Sequence, residues 1–439
     1  MEAVKVLSSK LVRPSYPEGA PAPDTTEVVP SSMFDEVTYD MQMAIIYAFS
    51  PPGPSTADIE RGLAEVLAVY RLFAGQVVRR DGRRGVALND HGARLVEARV
   101  DASLAEVAPA KPSPVVLQLH PSLEGEIEEV VQVQLTRFAC GSLAVGFTAN
   151  HAVADGHATS DFLVAWGRAA RGFAFGPAPP HHRPDLFRPR DPPAVEFEHR
   201  GVEYYHPPPS SAGGDHKHGH GEAHHTIVIH KAHFTKDFIA RLRASASEGR
   251  GRPFSRFETI LAHVWRAMTR ARGLGNPLQS STIRISVDGR QRLSAPPGYF
   301  GNLVLWAFPR ATVGDLLNRP LKHAAQAIHD AVARVDAAYF RSFVDFVGSG
   351  AVESEALAPT AVLKDVLCPD LEVDSWLTFP FYELDFGGGS PSYFMPSYFP
   401  TEGMLFLVPS YLGDGSVDAF VPVFEHNLEA FKQCCYSMD

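Results

Sequence analysis

Apolar residues recur along the chain at two periods, one typical of strands and the other typical of helices. Every second residue from Leu143 to Ala149 lies on one apolar face, and Cys140-Gly141 supplies a turn. The pattern therefore predicts a hairpin that begins at Val131 and ends near His151. Apolar runs predict further strands at residues 115–119, 226–230, 282–287, 303–308, 404–408 and 419–424.

Two helices are predicted from apolar stripes with i, i+3 and i+4 spacing. The first stripe covers residues 59–70 and follows Ser55-Thr56, which is a helix-capping signal. The second stripe covers residues 257–268. Since strands and helices mix without strict βαβ alternation, the chain is predicted to form an α+β layered sandwich and not a doubly wound sheet.

The length of 439 residues predicts two domains of roughly 200 residues each. Residues 172–225 are rich in proline, glycine and histidine, which is typical of an exposed crossover. We therefore predict an N-terminal domain over 1–171 and a C-terminal domain over 226–439. Within the crossover, the segment from Gly213 to His225 carries five histidines. A solvated loop is the main interpretation, and incidental metal affinity without fixed ligand geometry is the alternative.

Composition and charge narrow the classes of function. Apolar residues make up 45% of the chain, as in a globular protein. No apolar run approaches the ~20 residues of a membrane helix, and the N-terminus lacks the apolar region of a secretory signal. A net charge of −10 without a basic block argues against nucleic acid and membrane partners. The four cysteines have no framework spacing, so we expect a reduced, cytoplasmic protein.

His151 lies where the predicted hairpin gives way to a loop, and Asp155 follows four residues later. A histidine at a strand end can have one ring nitrogen held and the other exposed, as a general base requires. The same His-x-x-x-Asp spacing occurs at 181/185 and at 233/237, so the spacing alone is weak. Only His151 combines an apolar strand before it with a glycine and a helix after it. A core or solvated histidine is the alternative.

Three later segments accompany NHAVADG in a fixed order: SVDGRQRL (286–293), GYFGN (298–302) and SWLTFPFYELDFGGGSP (375–391). With them, the chain resembles the plant BAHD acyltransferases, the coenzyme-A-dependent family marked by HxxxD and DFGWG. The resemblance covers essentially the whole length. It implies two similar, chloramphenicol-acetyltransferase-like domains with an active-site channel between them, in a monomer. Gly388 stands where the family has tryptophan, and Asn150-His151 stands where related condensation domains have two histidines.

The resemblance also implies roles for the motif residues. In the family, the histidine lies at the middle of the channel, so His151 is expected to be the general base. No metal, bound cofactor or covalent acyl-enzyme is expected, and the coenzyme A thioester is a co-substrate. Asp155 is expected to turn away and pair with an arginine, for which Arg290 is the candidate; the alternative is a triad-like partner of His151. Asp385 of DFGGG is expected to form a structural ion pair near the coenzyme channel.

Coenzyme A needs partners for its phosphates and a channel for its pantetheine arm. GRPFSRFE (251–258) opens a predicted helix, where free amide groups and the helix dipole favour phosphate. Arg252, Ser255 and Arg256 are therefore candidate contacts, with ordinary helix capping by Ser255 as the competing explanation. Ile285 is a candidate for the pantetheine wall.

The segment LEVDSWLTFP (371–380) bears on the acceptor. Strand alternation would point Glu372 and Asp374 in the same direction, and with Trp376 they are the candidate acceptor-binding residues. If this face lines the channel, it favours a cationic acceptor, because opposite charges attract strongly at low dielectric constant. A pair of acids on a solvated loop is the alternative.

The N-terminal segments PSYPEG and VVPSSMFDEV resemble those of the grass amine N-hydroxycinnamoyltransferases. We therefore expect transfer of a hydroxycinnamoyl or benzoyl-type group to an amine through a tetrahedral intermediate. Transfer to an alcohol is the first alternative. A non-catalytic homologue is the second, because DFGGG departs from the family motif, although the intact His151 and Asp155 argue against it. A metal-binding protein built on the histidine-rich segment is the most distant alternative.

Overall fold

The computed structural model describes residues 4–80, 82–107, 112–179, 187–208, 226–362 and 364–438. Its strands are β1 (Lys5–Val12), β2 (Val28–Pro30), β3 (Gln42–Phe49), β4 (Gln76–Arg80), β5 (Arg83–Ala87), β6 (Ala93–Val100), β7 (Val131–Phe138), β8 (Leu143–Asn150), β9 (Tyr204–Tyr205), β10 (Ile227–Phe234), β11 (Ser280–Asp288), β12 (Val304–Ala307), β13 (Arg310–Thr312), β14 (Ala358–Pro359), β15 (Leu371–Ser375), β16 (Tyr393–Pro396), β17 (Met404–Pro409) and β18 (Val417–Phe424). The α-helices span Met33–Glu36, Thr56–Val69, Leu104–Val107, Gly156–Ala170, Lys236–Ala246, Arg256–Ala271, Val313–Asn318, Leu321–Arg334, Ala337–Gly348, Ala351–Ser354 and Leu428–Cys435. Short 3₁₀ turns span Arg71–Ala74, Pro114–Leu119, Phe381–Glu383 and Glu425–Asn427.

Six strands form the sheet of the N-terminal half, in the order β1-β6-β7-β8-β3-β16. The predicted hairpin is confirmed as β7 and β8, which pair antiparallel. Both faces of β8 are buried, because the 3₁₀ turn Pro114–Leu119 covers the face that carries Gly146. A Cβ atom at Gly146 would lie 2.1 Å from the carbonyl oxygen of Leu119, so only glycine allows this close approach.

The strand predicted at 115–119 is wrong, because these residues form that 3₁₀ turn. Val116 and Leu119 are buried at a spacing of three residues, which is the period of a 3₁₀ helix and not of a strand. The helix predicted after Ser55 is confirmed, and the Ser55 side chain accepts a hydrogen bond from the amide of Asp58.

The sheet of the C-terminal half has the order β10-β18-β17-β15-β11-β12, and β13 also pairs with β11. The five strands predicted in this half correspond to β10, β11, β12, β17 and β18. β15 pairs parallel with β11 on one side and with β17 on the other, so it lies inside the sheet. The amphipathic helix Arg256–Ala271 packs in the same core, where Trp265 is fully buried. The α+β sandwich of two layered halves is thus confirmed.

The two halves exchange short segments, so the predicted boundary at residue 226 does not separate them completely. β16 lies late in the chain but pairs with β3 at the edge of the N-terminal sheet. Trp376, Phe381 and Phe394 belong to the hydrophobic core of the N-terminal half. Conversely, Phe34 belongs to the core of the C-terminal half.

Part of the crossover is buried, which the composition did not predict. His199 and Glu203 are both fully buried and lie 2.9 Å apart, Nδ1 to Oε2. The Nε2 atom of the same histidine lies 3.0 Å from the hydroxyl of Ser342, and the hydroxyl of Tyr339 donates to Glu203. These contacts hold the crossover on the helix Ala337–Gly348. The histidine-rich segment from Gly213 to His225 lies outside the described residues.

Candidate active site

A cavity of about 390 Å³ receives side chains from both halves of the molecule. The N-terminal half contributes His151, Asp155 and His157, which lie at the end of β8 and at the start of the next helix. The C-terminal half contributes residues of β11 and β15. The rest of the wall is largely apolar, and its aromatic members are Tyr39, Phe147, Phe257, Trp306, Trp376, Phe379 and Phe381.

His151 is held in place through its backbone. Its amide donates to the carbonyl oxygen of Met41, and its own carbonyl accepts a hydrogen bond from the side chain of Asn302. The preceding Asn150 accepts from the amide of Ala152 and so forms the turn that ends β8. The imidazole lines the cavity, and its Nδ1 atom is buried without a hydrogen-bond partner among the described residues.

Asp155 caps the helix Gly156–Ala170 and accepts a hydrogen bond from the amide of Ala158. It also accepts from the amide of Leu303 at 3.1 Å. Arg290 binds both of its carboxylate oxygens, at 2.8 and 2.9 Å. Both side chains of this ion pair are largely buried. The structure thus brings Asp155 together with Arg290, its candidate partner, and the carboxylate oxygens are engaged by this arginine and two backbone amides.

The ion pair also fixes the charge of Arg290. Burial lowers the pKa of a guanidinium, but the carboxylate of Asp155 outweighs that effect and raises the pKa of Arg290. The side chain stays charged and also donates to the carbonyl oxygen of Gly301. Through Arg290, the turn after β11 is tied to the helix that follows His151.

Two polar groups at the cavity were not among the sequence candidates. His157 Nδ1 lies 3.1 Å from the Oδ2 atom of Asp288, and both residues line the cavity. This hydrogen bond raises the pKa of His157. Burial alone would raise the pKa of Asp288, but the bond to His157 and the charge of Arg290 lower it. No spacing in the sequence pairs residue 157 with residue 288.

Asn302 is a further residue near the cavity for which the sequence motifs predicted no role. It belongs to GYFGN and is buried. Besides binding the backbone of His151, its side chain donates to Asp35 at 2.9 Å. Asp35 in turn accepts the backbone amide of Asn302. The early VVPSSMFD segment and the GYFGN segment thus meet behind the histidine.

The acidic pair on β15 is divided by the fold. Asp374 and Trp376 line the cavity, and the hydroxyl of Ser286 donates to Asp374 at 2.7 Å. Glu372 does not line it: its oxygens bind the hydroxyl of Tyr39, at 2.8 and 3.0 Å, and the side chain is 9% exposed. Of the two carboxylates, only that of Asp374 lines the cavity, because Glu372 is bound by Tyr39, whose ring forms part of the wall.

The coenzyme A candidates fall into two groups. Ile285 lines the cavity, as does Phe257 in the first turn of the helix Arg256–Ala271. Ser255 forms a capping box with Glu258, which is the competing explanation offered for it. Arg252 and Arg256 are exposed and do not line the cavity.

Asp385 forms an ion pair with Arg171 at 2.8 Å, Oδ2 to Nη1. Its other oxygen accepts from the amides of Gly387 and Gly389, both of which have positive φ angles, 106° and 97°. A Cβ atom at Gly388 would lie 2.9 Å from the carbonyl oxygen of Pro52. A tryptophan at position 388 would therefore require the neighbouring segment to move.

Comparisons with known proteins place these features in context. The profile of a family described as "Transferase family" matches residues 3–438. A putrescine hydroxycinnamoyltransferase of Oryza sativa subsp. japonica is 85% identical over 451 residues, covering 99% of this chain and 100% of its own length. Agmatine hydroxycinnamoyltransferase 1 of the same organism is 52% identical over 445 residues, covering 99% and 98%. The crystal structure of F. sporotrichioides TRI101 complexed with coenzyme A and T-2 has a TM-score of 0.74 at 16% identity, over 92% of this chain and 96% of that one.

Two kinds of feature are absent from the described residues. None of the helices there is long and apolar enough to cross a membrane. Nor do the same residues contain a group of three or more histidine, cysteine, aspartate or glutamate side chains that could hold a metal ion.

Proposed function

The chain belongs to the transferase family of BAHD acyl-CoA-dependent acyltransferases, and on that premise we propose that it transfers a hydroxycinnamoyl group to an aliphatic amine. The acceptor carries a second, distal cation, as in a diamine or agmatine. One observation carries the proposal: a single cavity with an aromatic wall contains both His151 and the carboxylate of Asp374. The relatives named for putrescine and agmatine support this choice of acceptor.

Each part of the cavity has a task in this reaction. The aromatic wall binds the planar hydroxycinnamoyl group, and Asp374 binds the distal cation. Because a thioester is already activated, the protein needs only to position the amine, remove protons and stabilise the tetrahedral intermediate. Burial of the reactants between the two halves provides the positioning.

His151 acts as the general base. An aliphatic amine arrives protonated, since its pKa is about 10 by analogy with lysine, and it must lose one proton before its lone pair can attack. The new C–N bond forms at the thioester carbon, and His151 accepts the second proton from the nitrogen. The C–S bond then breaks, and the proton on His151 neutralises the leaving thiolate of coenzyme A. The first proton of the ammonium group is released to solvent, so atoms and charge balance: one ammonium ion and one acyl thioester give one amide, one thiol of coenzyme A and one solvated proton.

Arg252 and Arg256 remain our candidates for the phosphates of coenzyme A. The cavity reaches Phe257, which is adjacent to Arg256, so the exposed cations stand beside one end of it. The pantetheine arm would then pass Ile285, as proposed from the sequence.

A thiol-release assay tests the proposal. With p-coumaroyl-CoA as donor, we expect turnover with putrescine and agmatine and little with alcohols. His151→Ala should lower kcat by about 10²–10⁴-fold, which is the usual contribution of general-base catalysis. His233→Gln is the matched control, because it alters a second His-x-x-x-Asp match that lies on β10 and contacts Asp418 instead. Turnover with alcohols alone would refute the amine acceptor, and normal kcat in folded His151→Ala would refute the base.

A further inference from the structure

Arg284 lies directly behind the wall of the active-site cavity. It is on β11 and faces Glu372 of β15, its partner in the parallel register. Its guanidinium carbon lies 3.9 Å from the ring centre of Trp306 and 5.5 Å from that of Tyr39. Both rings line the cavity. One layer of aromatic side chains therefore separates a buried cation from the acceptor.

The hydrogen bonding of Arg284 is incomplete. Its Nη1 atom donates to the Tyr39 hydroxyl and to the carbonyl oxygen of Thr360, both at 3.3 Å. Its Nε atom lies 3.9 Å from Glu372. Nε and Nη2 are buried without hydrogen-bond partners among the described residues. The stacking on Trp306 and the charge of Glu372 keep this guanidinium in place.

Arg284 prevents a net negative charge behind the wall, whereas the carboxylate of Asp374 on the wall has no such counter-charge. Burial raises the pKa of Glu372, and the nearby Arg284 opposes that shift. If Glu372 is ionised, Arg284 neutralises it, and if Glu372 is protonated, Arg284 is left as a net cation. In neither state does Glu372 attract an acceptor. Within the described part of the chain, Asp374 forms no ion pair and accepts only from the neutral hydroxyl of Ser286.

We propose that Arg284 determines acceptor specificity by limiting the acceptor to a single distal positive charge. This inference rests on the proposed amine acylation and specifies its substrate class. A linear diamine places one nitrogen at His151 and one cation at Asp374. A triamine brings a further ammonium group, which Arg284 repels and which Glu372 cannot bind, because Arg284 already compensates the charge of Glu372. Arg284 therefore acts through the wall and does not touch the substrate.

The test compares kcat/KM for putrescine and spermidine. The wild-type protein should favour putrescine, and Arg284→Met should raise the spermidine-to-putrescine ratio about tenfold, which corresponds to about 1.4 kcal/mol. Arg284→Lys keeps the charge and should leave the ratio near that of the wild type. Arg266→Met is the matched control, since Arg266 is also a partly buried arginine of this half but lies on the helix Arg256–Ala271, away from the cavity wall.

A second variant tests the same charge balance by removing the carboxylate of Glu372 instead of the guanidinium of Arg284. Glu372→Gln leaves Arg284 uncompensated, so we expect kcat/KM for putrescine to fall about tenfold relative to that for the monoamine tryptamine. If the wild type acylates no amine, the proposed function fails. If it acylates putrescine but Arg284→Met and Glu372→Gln both leave the amine profile unchanged, the function stands and the role of Arg284 is refuted. If Arg284→Met does not fold, the amine profile of Glu372→Gln alone tests the role of Arg284.

Discussion

Asp155 connects the two halves beside the cavity, because its carboxylate oxygens accept hydrogen bonds from Arg290 and from two backbone amides. Replacing it by asparagine would leave a buried guanidinium without its counter-charge. We expect Asp155→Asn to lower the free energy of unfolding by about 3–5 kcal/mol, as is usual when one partner of a buried pair is removed. Denaturant unfolding measures the change. Asp315→Asn, which breaks an exposed pair with Arg319, is the control and should cost at most about 1 kcal/mol.

The double variant Asp155→Asn/Arg290→Met separates the two interpretations of Asp155. It removes both charges, so it should recover part of the stability that Asp155→Asn loses. A stable Asp155→Asn protein with the turnover of His151→Ala would instead favour a triad-like aspartate.

Single residues of the site differ in how far the sequence reveals them. His151 and Asp155 could be recognised because a strand, a turn and three later segments single them out. The orientation of Glu372 could not be predicted, because it depends on Tyr39, which is more than 300 residues away in the chain. The same holds for His157 and Asp288, which meet only after the two halves pack together.

At the scale of elements, the start of the helix Arg256–Ala271 holds both a capping box and two exposed arginines that we propose for coenzyme A binding. Ser255 and Glu258 form a capping box, whereas Arg252 and Arg256 are exposed. Ser255→Ala should therefore cost about 1 kcal/mol of stability and leave KM for the acyl-CoA unchanged. Arg252→Met/Arg256→Met should raise that KM about three- to tenfold with little loss of stability, since both side chains are exposed and surface substitutions usually change stability by no more than about 0.5 kcal/mol.

Thermal unfolding and steady-state kinetics distinguish the two effects. A raised KM in Ser255→Ala would assign the serine to coenzyme A, and an unchanged KM in the double arginine variant would remove both arginines from the binding site.

Helices and strands could be predicted from the sequence where they bury a single apolar face. The stripe from Ile59 to Tyr70 gave the correct helix because only that face is buried. The apolar residues of segment 115–119 are compatible with a strand or with a 3₁₀ turn, and only the contact with β8 selects the turn. The burial of His199 and Glu203 could not be predicted for a related reason. A polar pair in a proline-rich segment is expected to be exposed, and only its partners on another helix bury it.

At the scale of the whole molecule, the layered class followed from the order of strands and helices, but the exchange of segments did not. Local patterns describe strands without saying which sheet they join. β16 lies in the C-terminal half of the sequence, yet it pairs with β3 and completes the N-terminal sheet. Sequence-based division into domains therefore separates residues that share one core.

This exchange predicts that the two halves unfold together. Phe394 of β16 packs against Phe381 and Tyr47, with ring centres 4.4 and 4.9 Å apart, and is 3% exposed. Phe394→Ala should lower the free energy of unfolding by about 3–5 kcal/mol, as for other large-to-small changes in a core. Leu278→Ala, at a position 82% exposed, is the control and should change it by no more than about 0.5 kcal/mol.

Hydrogen exchange of the Phe394→Ala variant reports which parts open. Because β16 connects the segment after β15 to the N-terminal sheet, amides of β3 and of β15 should lose protection at the same denaturant concentration. The cavity would be lost in that same step, since His151 comes from one half and Asp374 from the other. Protection of β15 that persists after β3 has opened would show that each half folds on its own, and the channel would then be an interface between two independent domains.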